Sequence, residues 1–233
     1  MRLESRVKVF IKNNKNIEKT NSGFKTKKSK TTVKLPIKIS EELLRLIGII
    51  HGDGNMSFNR VHITDKSREY HEKLIIPTFE KLFGIRMNLF HDKNRNSYYS
   101  YTKNKIIYKF LVEILKIPSG SVRKNLRFPT YLKDINNKFK SSYIGGIFDA
   151  EGHVRKRQAE IDFSITNKEI WEFVKKFLND IDVKFSTKIR KRRKNPEYEI
   201  YIYGKPNLIN FNEHIKFSHP DKIDAFQKFL PVH

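Results

Sequence analysis

Two nine-residue stretches constrain this chain more than any other feature: Leu46-Ile47-Gly48-Ile49-Ile50-His51-Gly52-Asp53-Gly54 and Ile144-Gly145-Gly146-Ile147-Phe148-Asp149-Ala150-Glu151-Gly152. Aligned, they share small residues at the third and seventh places, apolar residues around the third, an acid at the eighth and glycine at the ninth. Glycine inside a helix costs about 1 kcal/mol relative to alanine, so two helices that both accept it are expected to gain close approach to one another. Gly48, Gly52, Gly146 and Ala150 would then line one seam, with Asp53 and Glu151 arriving together at its end.

The text that follows each stretch also repeats. After the first come strand-like residues (Phe58 to Thr64), a helix (Lys66 to Phe83), a hairpin (Ile85 to His91 with Tyr98 to Thr102) and a helix (Lys103 to Lys116). After the second come strands at His153 to Arg157 and Ala159 to Ile165, a helix at Lys168 to Leu178, a hairpin of Lys184 to Arg190 with Tyr198 to Tyr203, and a helix near Asn207 to Ile215. Ile63-Thr64-Asp65-Lys66 and Ile165-Thr166-Asn167-Lys168 fall at matching places. The expected fold is α+β: two pseudo-twofold-related α-β-β-α-β-β-α repeats, residues 39–138 and 139–233, behind a basic N-terminal arm, residues 1–38. Ser40 reads as an N-cap, with Glu41 and Glu42 in the first helical turn. Trp171 reads as core, in step with Val174 and Leu178. Strand alternation predicts that Ile161, Phe163 and Ile165 are buried opposite Glu160, Asp162 and Ser164, and that Phe185 and Ile189 are buried opposite Lys184, Ser186, Lys188 and Arg190.

Charge narrows the partner. The chain holds 48 Lys+Arg against 25 Asp+Glu, a formal net charge of +23. Basic residues recur from Lys25-Thr26-Lys27-Lys28 to Lys188-Ile189-Arg190-Lys191-Arg192-Arg193-Lys194, interleaved with Tyr and Phe, rather than concentrating on one amphipathic helix; that distribution points to nucleic acid instead of a membrane surface. Residues 1–38 contribute twelve basic residues and two acids with no regular apolar spacing. Zero cysteines excludes disulfides, thiolate zinc sites and a cysteine nucleophile. Apolar runs are too short to span a bilayer and no signal peptide is evident, so a soluble, intracellular protein is expected.

The paired stretches resemble those of the LAGLIDADG homing endonucleases of the single-chain, two-motif type, and the likeness runs over about residues 39 to 233. Gly-Asp-Gly alone is ordinary turn chemistry; two such stretches 98 residues apart, each opening the same succession of elements, are far more specific. The resemblance implies that the motif helices form the interface of a pseudo-twofold fold. It also implies that two antiparallel sheets make a saddle over double-stranded DNA with a long, mostly asymmetric target, bound by a functional monomer. Cleavage across the minor groove with 3′ overhangs, and a role in intron or intein mobility, come with it. On that resemblance Asp53 and Glu151 are expected to be the catalytic and metal-ligating pair, with the carbonyls of Gly52 and Ala150 as further ligands, whereas the simpler account is that both acids cap turns. Hard oxygen donors favour Mg²⁺, with Mn²⁺ as a substitute.

Family members also place a Lys or Gln near each scissile phosphate, and Lys66 and Lys168 occupy the corresponding region, although Asp65 departs from the pattern. Each lysine also reads as a solvated first-turn residue. His51 and Asp149 read as interface packing. His219, Asp221 and Lys222 resemble a recurrent family segment, with Asp221 capping the last helix as the simpler account. Arg60, Arg86, Arg155, Arg157, Lys188, Arg190, Arg192 and Arg193 are the expected DNA contacts. A non-catalytic binder of nucleic acid, such as an intron RNA maturase or a regulator, is the rival reading.

Overall fold

Ser40 starts the first motif helix as its pattern requires: its hydroxyl accepts from the Leu43 N–H, and α2 runs Glu41–Asp53. The computed structural model describes residues 2–155, 157–191 and 195–229. Ahead of α2 lie α1 (Glu4–Asn13) and a hairpin of β1 (Ile17–Thr20) and β2 (Gly23–Thr26). After it come β3 (Gly54–Ser57), β4 (Arg60–Asp65) and a helix made of α3 (Arg68–Tyr70), a π-helical turn His71–Ile75 and α4 (Ile76–Phe83). Then follow β5 (Asn88–Asp92), β6 (Ser97–Lys103) and α5 (Lys105–Lys109), which runs into a second π-helical turn, Phe110–Ile114. A short β7 (Gly120–Ser121) and α6 (Val122–Asn125) lead to the second motif helix, α7 (Asn137–Glu151), capped by Asn136. The second half continues with β8 (Gly152–Val154), β9 (Glu160–Ile165), α8 (Lys168–Asp180), β10 (Ser186–Arg190), β11 (Glu197–Tyr203), α9 (Lys205–His214) and α10 (Pro220–Gln227).

The repeat is visible in strand order. One antiparallel sheet runs β5-β6-β4-β3, with β7 added outside β3, and the other runs β10-β11-β9-β8. Each motif helix thus feeds the same strand of its own sheet. One face of each sheet is apolar: Met56, Val61 and Ile63 are buried in the first, Ile161, Phe163, Ile200 and Ile202 in the second. Phe148 of α7 stacks on Phe163 and meets Phe211 edge-on, both at 5.0 Å between centroids, which ties motif helix, sheet and α9 into one core. Trp171 is buried as expected, and its Nε1 donates to the Glu199 carbonyl. No helix among the described residues is long and apolar enough to cross a membrane.

Four local expectations are corrected. Phe58 and Asn59 are not strand but a two-residue turn with φ of 50° and 60°, and Phe58 is 91% exposed. The strand expected at His153 to Arg157 stops at Val154. Ile189 is 48% exposed, because β10 is an edge strand with its neighbour on one side only. The basic N-terminal segment carries regular structure. Leu3, Val7 and Phe10 are buried at helical spacing and Val33 and Leu35 are buried beyond the hairpin, a pattern hidden among lysines in the sequence.

Candidate active site

The seam between α2 and α7 is set by its small residues. A Cβ on Gly48 would stand 2.3 Å from the Tyr143 carbonyl oxygen, and one on Gly146 would stand 2.1 Å from the Arg45 carbonyl oxygen. At the C-terminal end, a Cβ on Gly52 would lie 2.4 Å from the Cβ of Ala150 and 3.1 Å from the Cγ of Glu151. The residue before Asp53 therefore packs directly on Ala150 and Glu151, so the two acids emerge side by side from the ends of two touching helices. The ninth-place glycines instead let the chain turn closely over the end of their own helix. A Cβ on Gly54 or Gly152 would press within 2.4 or 2.6 Å of the carbonyl oxygen of Ile50 or Phe148.

The sixth motif residues lock the seam sideways. His51 Nδ1 lies 2.8 Å from the Tyr143 hydroxyl, and burial pushes the imidazole down to about 3, so it is neutral. Asp149 takes the matching position on α7. Its carboxylate pairs with Arg45 at 2.6 Å and accepts from the N–H groups of Ser218 and His219 at 2.8 and 3.1 Å. Burial raises the Asp149 pKa against the pull of Arg45 and those N–H groups. Both residues thus bond across the interface, as their packing role predicts.

The segment before α10 does more at the site than its sequence reveals. Lys222 Nζ donates to the carbonyls of Phe148 (3.1 Å), Asp149 and Ala150 (3.4 Å), closing the C-terminal end of α7 with a positive charge. Burial lowers its pKa, opposed by Asp149, Asp53, Asp65 and Glu151. His219 Nε2 lies 3.2 Å from Asp65 Oδ1, and its ring packs tilted by 32° on Tyr70, 4.3 Å between centroids. Burial raises the Asp65 pKa, but the His219 contact and the Ser67 N–H outweigh it and hold the carboxyl below its usual value. Asp221 lies in the first turn of α10, where the N-cap residue is His219 and no side chain caps the end.

Two cavities flank the acids. Asp53 lines one of about 510 Å³ with Asp65, Lys66, His219 and Lys222. Glu151 lines another of about 240 Å³ with Asp162, Arg190, Glu197 and Glu199. Lys66 is therefore brought to Asp53, whereas Lys168 is exposed on the first turn of α8 and lines neither cavity. No group of three or more His, Cys, Asp or Glu among the described residues is placed to hold a metal ion. The chain thus offers two carboxylates and neighbouring backbone carbonyls, which fits a cation that fills its shell with water and substrate oxygens.

Of the expected DNA contacts, Arg60 is exposed at the end of β4, 5.3 Å over the Tyr101 ring. Arg86 precedes β5 and pairs with Glu80. Arg155 bridges Glu160 and Asp162, and Arg190 pairs with the buried Glu199 at 2.6 Å. Arg157 and Lys188 are exposed; Arg192 and Arg193 lie outside the described residues. The sequence pattern missed how many acids share the second sheet's polar face.

Residues 138–216 match the family model of the LAGLIDADG-like domain. In fold, the chain superposes on the homing endonuclease I-DmoI, solved with DNA and Mn, with a TM-score of 0.58 at 22% identity, over 78% of this chain and 99% of that one. The N-terminal LAGLIDADG domain of WhiA superposes with a TM-score of 0.54 at 12% identity, over 82% of this chain and 87% of that one. Among curated proteins, a glutamine–fructose-6-phosphate aminotransferase of Methanocaldococcus jannaschii is 28% identical over 205 residues, 85% of this chain. A probable translation initiation factor IF-2 of the same organism is 27% identical over 238 residues, 95% of this chain. The chain spans less than a fifth of the length of these relatives: the match covers 18% and 19% of them.

Proposed function

We propose that this chain is a site-specific, metal-dependent double-strand DNA endonuclease of the LAGLIDADG homing type. The observation that carries the reading is the seam: two helices brought into backbone contact by Gly48, Gly146 and Gly52, each ending in a carboxylate, Asp53 and Glu151, in a chain of net charge +23. Asp53 and Glu151, with the carbonyls of Gly52 and Ala150, would hold the metal. When bound, Mg²⁺ neutralises charge on the scissile phosphate and lowers the pKa of attacking water. Lys222 gives most of its contact to Phe148 and Asp149, which leaves the more distant Ala150 carbonyl capacity for a ligand. Its ammonium also offsets phosphate charge beside Asp53. Lys66 orients water in the Asp53 cavity, and Lys168 is the weaker counterpart.

The polar faces of the two sheets take the DNA duplex, with residues 39–138 and 139–233 serving one half of the target each and residues 1–38 adding phosphate contacts. That I-DmoI, similar in fold, is solved in complex with DNA supports a DNA partner, and the family resemblance implies cleavage across the minor groove with 3′ overhangs. Two relatives of unrelated chemistry carry matching segments that are under a fifth of their length. That pattern supports a mobile module of the intron or intein type.

Incubating the protein with a randomised duplex library and Mg²⁺, then sequencing broken ends, tests the reading. Recovery of a defined cut site, with none from an Asp53→Asn control, is expected. Binding of one sequence without any cutting would overturn it in favour of a non-catalytic regulator.

A further inference from the structure

The two polar sheet faces have different chemistry although their strand order is the same. On the first, the cross-strand register lines up Arg60 with Lys103, His62 with Tyr101 and Asn88, and Thr64 with Tyr99 and Phe90. These rings touch: Phe90 to Tyr99 is 4.9 Å, Tyr99 to Tyr101 5.8 Å and His62 to Tyr99 6.0 Å between centroids. The acid on this face among the aligned pairs is Asp92, opposite Ser97 at the end of β5 and paired with Arg95, and Phe90 is 50% exposed. On the second face the register lines up Tyr201 with Asp162 and Ser186, Glu199 with Ser164 and Lys188, and Glu197 with Arg190. Here each paired arginine is held by a carboxylate: Arg190 by Glu199, which also accepts from the Tyr201 hydroxyl at 2.6 Å, and Arg155 by Glu160 and Asp162.

Carboxylates on a face that meets DNA repel phosphate, so their favourable position is over base edges, where the cytosine N4 amino group is a donor they can accept from. The arginine beside each carboxylate matches the O6 and N7 acceptors of guanine. An exposed phenylalanine has no hydrogen-bonding group, and its base-specific partner in the major groove is the thymine methyl. Resting on the endonuclease reading, we propose that the sheet β5-β6-β4-β3 reads a thymine-rich half-site through ring contacts of Phe90, Tyr99 and Tyr101 with C5-methyl groups, and that the sheet β10-β11-β9-β8 reads G·C pairs through its Arg–carboxylate couples. The two halves of the target differ in base composition, and the paired acids are readers of cytosine as well as clamps on the arginines.

The test is selection of bound duplexes from a random library in Ca²⁺, followed by affinity measurements on the selected site with deoxyuridine in place of thymidine on one flank at a time. Loss of each buried methyl is expected to weaken binding about fourfold. That loss is confined to one flank, shrinks in Phe90→Ala and disappears when Phe90, Tyr99 and Tyr101 are all changed to Ala. Glu199→Gln shifts base preference on the opposite flank only. Because Glu199 is buried, Asp162→Asn, at a more exposed carboxylate, is measured beside it, and either shift supports the assignment. Equal base composition in both flanks, or deoxyuridine tolerated on both, overturns the proposal while leaving the endonuclease reading intact. Failure to bind any duplex overturns both.

Discussion

Replacing Gly146 with alanine tests whether the seam is the structural basis of the site. The added Cβ would sit 2.1 Å from the Arg45 carbonyl oxygen and 3.0 Å from the Ile49 nitrogen. Ordinary non-bonded spacing is about 3.5 Å, so α2 and α7 must part by about 1.4 Å at this point. Both obstacles are backbone, with no rotamer free to yield, which places the cost near the upper end of the roughly 1–3 kcal/mol typical of overpacking. The intrinsic helix preference for alanine returns about 1 kcal/mol. The net loss is about 2 kcal/mol, or about 4–8 °C in melting temperature for a chain of this size. Gly145 provides the internal control, because its added Cβ meets the Arg45 guanidinium, 2.2 Å from Nη2, and not a backbone atom of α2. In an Arg45→Ala background the Gly145→Ala penalty should vanish while the Gly146→Ala penalty persists. Urea unfolding of wild type, Arg45→Ala and each glycine variant in both backgrounds gives the comparison. A Gly146→Ala protein as stable as wild type, or one rescued by Arg45→Ala, would refute the account.

Asp53→Asn and Glu151→Gln should each abolish double-strand cleavage in Mg²⁺ while specific binding in Ca²⁺ is kept, and full cleavage by either would remove it from the catalytic pair. Lys222→Met should lower cleavage by more than tenfold with binding retained, because it removes a charge beside Asp53 and uncaps α7; unchanged cleavage at saturating Mg²⁺ would limit Lys222 to a structural cap. His51 is neutral in the fold, with its pKa held at about 3 against 6.5 in the unfolded chain. As pH falls below 6.5 the unfolded state alone takes the proton, so stability is lost, by about 2 kcal/mol at pH 5. The stability gap between wild type and His51→Asn should narrow by that amount from pH 7 to pH 5, and a gap independent of pH would contradict a buried neutral imidazole. Changing the exposed Lys27, Lys28 and Lys30 to Gln should flatten the slope of log affinity against log salt by up to about 3 units with melting temperature unchanged; an unaltered slope would mean that the segment does not touch phosphate.

The parts of this fold that the sequence makes legible are those where one interaction dominates. Gly48 and Gly146 announce helix contact, since mid-helix glycine is unfavourable without it, and the alternation of Ile161, Phe163 and Ile165 fixes the buried face of a central strand. Where two requirements compete, the pattern misleads. Leu3, Val7 and Phe10 are a helical stripe, but lysines and arginines between them mask it, and only docking on the π-helical turn at Phe110–Ile114 shows why they are buried. Ile189 follows strand alternation yet is exposed, because alternation fixes a face and not whether anything lies behind it. The role of Lys222 depends on the chain returning it, 72 residues after Ala150, to the end of α7, a tertiary fact that no local spacing encodes.

The seam also shows what carrying both repeats on one chain makes accessible. The residue before each motif bonds the sixth residue of the other, Tyr143 with His51 and Arg45 with Asp149, so one pseudo-twofold position is filled once by a neutral pair and once by an ion pair. A symmetric dimer of one repeat would have to place the same pair in both positions. Two buried Arg–Asp pairs would double the desolvation cost of sequestered charge, and two His–Tyr pairs would leave the segment at Ser218 and His219 without the carboxylate that accepts from its N–H groups. Divergence at this slot therefore lets one half anchor the segment that delivers His219 and Lys222, while the other keeps the seam free of charge. The same freedom acts on the sheets, where an aromatic face and an Arg–carboxylate face occupy equivalent places. A fused pair of repeats is suited to a target whose two halves differ, and the asymmetry inside the seam and the asymmetry on the sheets follow from the same covalent link.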